Sequence, residues 1–391
     1  MSSVKLRVLI TDPHMKGGGQ VRYVRNLTEQ LVRLGHEVII GCKPGSILVD
    51  TAKHTGAEVI DSFVFRGGLR LGSWVSDVLT MSGALRKFRP DVIHANGSQD
   101  HWISAMTNRL MGSPFPVIRT RHNTYPVAVS FPNRILNKNW TTLQIVVCDI
   151  VRKKLAVHDC FDGNRLITIH NGVDAGIFAP RITVREEARR EFGYEPHHLV
   201  VGIVARLVPA KGHAILFRAV QPLIKEFPFL RILVLGEGIL RMELESLVKE
   251  LDVGDTVHFA GYRTDMERVI QAVDIGVQPS IDCDTSSFSL KELMACGVPV
   301  IASNYGGLPE ILTDGEEGFI VAAGQVEPLR EAIQRLVQDP DLRRRMGEAG
   351  RNRVLQEFTV ECFAERTLEA YEKALQIHRD QHPGVLSDDL A

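Results

Sequence analysis

The chain has 391 residues, a formal net charge of −1, 44% hydrophobic and 24% charged residues. These values exclude a wholly disordered or collagen-like chain, and the length suggests two or three domains at roughly 100–200 residues each. No apolar run approaches the roughly 18 residues that would mark a membrane-crossing helix.

The first segment, Met1 to Ile10, carries charges inside its only apolar stretch and reads as a β-strand rather than a signal peptide. Strands are expected in the first half at Arg7–Thr11, Glu37–Gly41, Asp91–Ala95, Pro116–Thr120, Gln144–Cys148 and Leu166–His170. The second half predicts them at Val200–Val204, Arg231–Leu235, Thr256–Ala260, Ile275–Pro279, Pro299–Ser303 and Gly318–Val321. Most are continuously apolar, as strands covered on both faces of a parallel sheet must be. Segments with helical periodicity lie between them. Val21–Leu34 is closed by Gly35, Ile239–Leu251 follows later, and a long charged pattern spans about Val360–Arg379. The tail beyond Asp380 reads as frayed.

Strand–helix alternation in both halves predicts two doubly wound α/β domains, 1–180 and 181–359, with the boundary near Phe178–Val184. Residues 1–180 hold 22 Lys and Arg against 13 Asp and Glu, leaving 24 against 34 for the rest. A basic first half favours an anionic partner, and it equally fits two domains that attract each other. Six cysteines without C-x-x-C spacing fit a reducing cytosol, and argue against a disulfide framework or a zinc site.

Ligands of open parallel sheets bind beyond the carboxyl ends of the strands, so motifs there come first. After Ile275–Pro279 comes Asp284-Thr-Ser-Ser-Phe-Ser-Leu-Lys-Glu292, a capped helix start whose free N–H groups suit a diphosphate. Asp284 and Glu292 suit sugar and ribose hydroxyls. Taken alone, the segment also fits an ordinary capped helix with a surface carboxylate. Arg206 and Lys211, five residues apart just past Val200–Val204, offer a fork and a point charge to one diphosphate. Lys16-Gly17-Gly18-Gly19-Gln20 lets backbone approach a ligand, or forms a plain turn. His122 lies just beyond Pro116–Thr120, where a hydrogen bond to a sugar or to a reacting hydroxyl is within its chemistry. His170-Asn-Gly-Val-Asp174 reads as a hinge-side turn. Asp282-Cys283-Asp284 matches a short metal-holding pattern, but the helix start explains Asp284 without a metal. Neither a G-x-G-x-x-G fingerprint nor a Walker loop is present.

In order and spacing these segments resemble the retaining glycosyltransferases of the GT-B fold, specifically glycosyltransferase family 4. The resemblance runs from the first strand to about Tyr371. It rests on Gly17–Gln20, Leu34-Gly-His-Glu-Val38, the His122 loop, Arg206-x4-Lys211, Leu235-Gly-Glu-Gly238, Phe259-Ala-Gly261, Asp284–Val300, Ile301–Glu310 and Asp314–Gly318. It implies two Rossmann-like domains facing a central cleft, with the last helix returning to the first domain. It implies transfer of a sugar from a nucleotide-diphosphate donor to a hydroxyl, without cofactor, metal or nucleic acid. Arg206 and Lys211 then match the cations on the diphosphate, and Glu292 the carboxylate on the ribose. Asp284 stands where a glutamate usually meets the donor sugar, and Ser287, Phe288, Ser289 and Leu290 match the loop on sugar and phosphate. Gly18 and Gly19 match the glycines of the first domain, and His122 a histidine near the reacting sugar. Two departures stand out: Asp284 is one methylene short, and Thr285-Ser286-Ser287 replaces a usual Gly-Phe-Gly.

The acceptor expected from the basic first half is a glycan or lipid-linked molecule of cell-envelope or lipopolysaccharide type, reached in the cytoplasm with peripheral contact to an anionic membrane. Arg86-Lys-Phe-Arg89, Arg152-Lys-Lys154 and the mixed cationic and apolar run Phe131–Trp140 are the candidate contacts. The alternatives are a nucleotide-sugar 2-epimerase on the same fold, a nicotinamide-dependent oxidoreductase and a non-catalytic sugar-nucleotide sensor.

Overall fold

The computed structural model describes residues 5–68 and 70–383. They form two compact units. One takes the chain up to Gly172 and again from Val360, and the other is Val173–Thr359. The proline at 180 therefore lies inside the second unit. Gln271 fastens that stretch, donating from Nε2 to Ala179 O at 2.8 Å and accepting from Arg181 N at 3.2 Å.

The first unit holds β1 (Arg7–Thr11), β2 (Glu37–Gly41), β3 (Glu58–Ile60), β4 (Val92–Ala95), β5 (Val117–Arg121), β6 (Leu143–Val146) and β7 (Leu166–Thr168). They pair in parallel in the order β3-β2-β1-β4-β5-β6-β7. The second unit holds β8 (Leu199–Val204), β9 (Leu230–Leu235), β10 (Val257–Gly261), β11 (Ile275–Gln278), β12 (Val300–Ser303) and β13 (Gly318–Val321). Their order is β10-β9-β8-β11-β12-β13, also parallel. Each unit is thus a doubly wound α/β sheet. The short edge strand β3 escapes the sequence reading because its three residues are exposed or half-buried and show no apolar run.

Helices cover the sheets with apolar stripes. Val326–Gln338 buries Leu329, Ala332, Ile333, Leu336 and Val337, a 3-4-7-8 spacing that seats one face on the core. The helix Gly19–Arg33 starts two residues earlier than its apolar pattern, because Gly18 caps it through backbone alone. The pattern at Ile239–Leu251 narrows to Arg241–Glu250, and Ile239 is left exposed.

The last helix, Val360–Gln381, belongs to the first unit; residues 384–391 of the expected tail lie outside the described residues. Its Phe363 ring meets Tyr23 edge-on with centroids 4.7 Å apart, and Arg33 pairs with Glu361 at 2.8 Å. Tyr371 is buried, with its hydroxyl 2.7 Å from His94 Nδ1. Removing that hydroxyl strands a buried imidazole nitrogen. Tyr371→Phe should therefore cost about 1–2 kcal/mol in a urea melt; an unchanged midpoint would show that the contact carries no stability.

Candidate functional site

In the second sheet the chain leaves β8 toward β9 and β10, then crosses to the other side of β8 with β11. The connections after β8 and β11 run in opposite directions, so a crevice opens at their carboxyl ends. The β8 loop enters it through a single 3-10 turn, Pro209–Lys211, closed by Gly212 at φ 72°. A Cβ on Gly212 would lie 2.0 Å from Pro279 O, so only glycine admits this approach. Ala210 O accepts from Ile281 N at 2.8 Å and Asp282 N at 3.3 Å. Two loops distant in sequence are thereby laced together by backbone.

The lacing places Lys211 Nζ 2.7 Å from Asp284 Oδ2. The same oxygen accepts from Ser280 Oγ at 2.8 Å and Gln278 Nε2 at 3.0 Å. Lysine and aspartate side chains are 15% and 6% exposed. The carboxylate is therefore compensated by three donors, and the ammonium retains two further N–H groups. Gly306, at φ 59°, presses on the Asp284 carbonyl, where its Cβ would stand 1.9 Å away.

From Asp284 the chain turns into the helix Phe288–Ala295. Ser287 caps it by accepting Leu290 N at 3.2 Å, and no acidic side chain lies in its first turn. Ser287 Oγ is 3.1 Å from Ser289 Oγ, which reaches Gln278 Oε1 at 3.4 Å. Phe288 and Leu290 face the core. Glu292 is 1% exposed, deeper than a ribose-binding carboxylate at the surface would be. Lys291, fully buried, donates to Ser286 Oγ at 2.7 Å and stands 4.9 Å from the Phe358 ring centroid. Arg206 is exposed and pairs with no carboxylate among the described residues. Its turn is braced by Leu207 N donating to Glu237 O at 3.0 Å, and Gly236 crosses so near that a Cβ would stand 2.0 Å from Ala205 O. The Gly236-Glu-Gly238 turn is thus a packing device for the Arg206 loop.

Gly18, Gly19 and His122 belong to the first unit. Gly18 and Gly19 are exposed, and a Cβ on Gly18 would meet nothing within 4 Å. The switch point of that sheet lies between β1 and β4. His122 Nε2 sits 3.0 Å from Asn96 Oδ1, and its ring meets Tyr23 edge-on at 4.7 Å. Burial, with Arg119 adding to it, holds its protonation well below the usual range, so the imidazole is neutral and donates to the amide oxygen. Behind it, Thr120 Oγ1 lies 2.6 Å from His94 Nε2 and 3.1 Å from the Tyr23 hydroxyl.

Asp12 accepts from His14 N and Gln20 Nε2, each at 2.7 Å, and Asp100 accepts from Thr11 Oγ1 at 2.9 Å and Gly97 N at 3.0 Å. Burial raises Asp100 to about 6, and buried Arg119 opposes the shift. Sequence reasoning gave no role to Asp12, Asp100, Gln278, Ser280 or Lys291. Only the position of Gln278 and Ser280 at the end of an apolar strand could have pointed to them.

The Lys211–Asp284 pair should show coupling: Lys211→Ala and Asp284→Ala each cost about 3–5 kcal/mol, and the double variant costs about 1–3 kcal/mol less than their sum. Additive losses in denaturant melts would contradict the pairing. For pH, burial holds His94 near 3, His213 and His378 near 4, and His101 and His122 well below 6.5. The unfolded chain takes up these protons below about 6.5 and the folded chain does not, so their contribution is complete above 6.5 and is lost as pH falls toward 4. His14 and Asp100, both raised, act in the opposite direction. His36, His198 and His258 are lowered as well, and Asp77 is raised; eight groups against three predict a lower urea midpoint at pH 5 than at pH 7, and an equal or higher midpoint would contradict it.

Comparison with known proteins agrees with this architecture. Residues 17–177 match the family model for Glycosyltransferase Family 4, and residues 184–353 match Glycosyl transferases group 1. A D-inositol 3-phosphate glycosyltransferase of Corynebacterium aurimucosum is 28% identical over 92% of each chain. A GDP-mannose-dependent monoacylated alpha-(1-6)-phosphatidylinositol monomannoside mannosyltransferase of Corynebacterium glutamicum is 34% identical over 50% of this chain and 53% of its own. A glycosyltransferase from Rickettsia africae superposes with a TM-score of 0.86 at 21% identity, over 96% of this chain and 100% of its own. Anabaena HepE in complex with UDP gives 0.82 at 19%, over 94% and 100%. With both units matched in order, the chain belongs to the GT-B glycosyltransferases of group 1, family 4.

Proposed function

We propose that this glycosyltransferase takes a nucleotide-diphosphate sugar as donor and transfers the sugar, with retention of configuration, to a hydroxyl of a glycan or lipid-linked acceptor of the cell envelope, working in the cytoplasm. The observation that carries the reading is the crevice at the ends of β8 and β11. There a lysine with two N–H groups to spare, an unpaired arginine and the start of a helix without acidic residues share one switch point. Such a combination suits a diphosphate. HepE of Anabaena has been crystallised with UDP and with UDP-glucose, which supports a nucleotide-sugar donor here. The mannosyltransferase relative is named for a phosphatidylinositol mannoside acceptor, which supports a lipid-linked one.

In this reading the sugar C1–O bond breaks with its electron pair going to the diphosphate. Arg206, Lys211 and the N–H groups of the Phe288–Ala295 helix start stabilise the charge that builds there. The acceptor oxygen bonds to C1 from the same face, and its proton passes to a donor phosphate oxygen. Asp284, fixed by Ser280 and Gln278, holds Lys211 in place and offers its carboxylate to sugar hydroxyls. Glu292 takes the ribose where the ligand opens a way to it. Within the first unit, neutral His122 offers a hydrogen bond to a hydroxyl without adding charge.

Arg206→Ala tests the diphosphate role without disturbing the fold, because the side chain is exposed and unpaired. It should leave the melting midpoint unchanged and lower kcat with the preferred nucleotide sugar by about 10²–10³. Turnover within twofold of the parent would overturn the role. NMR of the product should show the donor's anomeric configuration kept; inversion, or an altered nucleotide sugar formed without acceptor, would overturn retaining transfer.

A further inference from the structure

The helix Leu71–Phe88 of the first unit has an outer face unlike that of a water-facing helix. Leu71, Val75 and Leu79, spaced four apart and so on one face, are 83%, 57% and 68% exposed. Gly72, Ser76 and Gly83 fill the rest of that face. The only acidic residue of the helix, Asp77, is buried on the opposite side, accepting Val64 N at 2.6 Å and Phe65 N at 2.9 Å. Cations bracket the apolar ridge. Exposed Arg66 and Arg70 precede it, and exposed Arg86, Lys87 and Arg89 follow. The ridge spans about 12 Å at 1.5 Å per residue. No helix among the described residues is long and apolar enough to cross a membrane.

We propose that the Leu71–Leu79 ridge seats the protein on an anionic lipid bilayer, apolar side chains entering the interface and the arginines meeting headgroups. Charge complementarity selects this occupant: an uncharged apolar strip with basic residues at both ends and no exposed carboxylate on the helix matches an anionic surface. The other candidate segments fit less well. In Phe131–Trp140, Phe131 is exposed but Leu136 is buried and Trp140 packs on Trp102 at 6.2 Å. Arg152 and Lys153 pair with Asp149 at 2.6 and 3.1 Å. The inference deepens the proposed reading, since it names the surface on which a lipid-linked acceptor would be met.

The chain supplies its own probe. Its three tryptophans, Trp74, Trp102 and Trp140, form one chain of rings with successive centroids 6.4 and 6.2 Å apart, beginning on this helix. The full chain is floated with phosphatidylcholine vesicles, alone or with about 30% phosphatidylglycerol, and its emission is read against brominated acyl chains. The parent should float with anionic vesicles at low salt, at least tenfold less with neutral vesicles or in about 0.5 M salt, with quenched emission. Val75→Asp with Leu79→Asp should lower flotation at least tenfold while the melting midpoint and its shift by nucleotide sugar stay the same. If that pair melts early, Val75→Ser with Leu79→Ser is scored in its place. Equal flotation of parent and variant, no flotation of the parent, or a lipid-free dimer abolished by the same substitutions would each overturn the inference. Flotation without a nucleotide-sugar shift would sustain the docking surface and count against the proposed donor; a shift without flotation would do the reverse.

Discussion

The second unit is organised around the contact between Lys211 and Asp284, 2.7 Å apart at the end of a parallel sheet. The contact exists because the β8 loop is pressed against the β11 loop by a glycine with positive φ and by two hydrogen bonds to one carbonyl. Taking both charges out of water separately would be costly; together, and with Ser280 and Gln278 on the same oxygen, each is compensated. The helix that follows begins beside this compensated pair, its first turn free of carboxylates. A diphosphate entering such a crevice meets preorganised donors.

The same topology, repeated in the first unit, produces a different interior. There the switch point is filled by buried polar groups, Asp12, Asp100 and Arg119, with neutral histidines behind them. His122 stays uncharged because burial and the neighbouring Arg119 cation both disfavour its protonation. The last helix completes this unit, since Phe363 and Tyr371 close over Tyr23 and His94. A basic composition therefore resolves into separate parts: buried arginines in polar clusters, surface cations in ion pairs, and the exposed arginines that flank Leu71–Leu79.

Much of the fold was readable because buried parallel strands must be apolar and their helices striped. The strand Glu58–Ile60 was not, since an edge strand of three residues needs no apolar run. At the candidate site, the position of Arg206 and Lys211 past a strand end and the Ser287 cap were legible, because they follow from strand ends and capping residues. The pairing of Lys211 with Asp284 was not, since 73 positions separate them and only the sheet order joins them. Nor was the depth of Glu292 and Lys291, because residues on one short helix face the core or the crevice according to packing that periodicity over eight residues does not define. The Leu71–Leu79 ridge illustrates the converse. Its three apolar residues, spaced four apart on one helix face, stand outside the core.

The most direct measurement of the central claim is a crystal structure with a nucleoside diphosphate bound. The account predicts the phosphates at the carboxyl ends of β8 and β11, within hydrogen-bonding distance of Lys211 Nζ and of a backbone N–H in the first turn of Phe288–Ala295. Phosphates seated away from that switch point, with Lys211 still bonded only to Asp284, would contradict it.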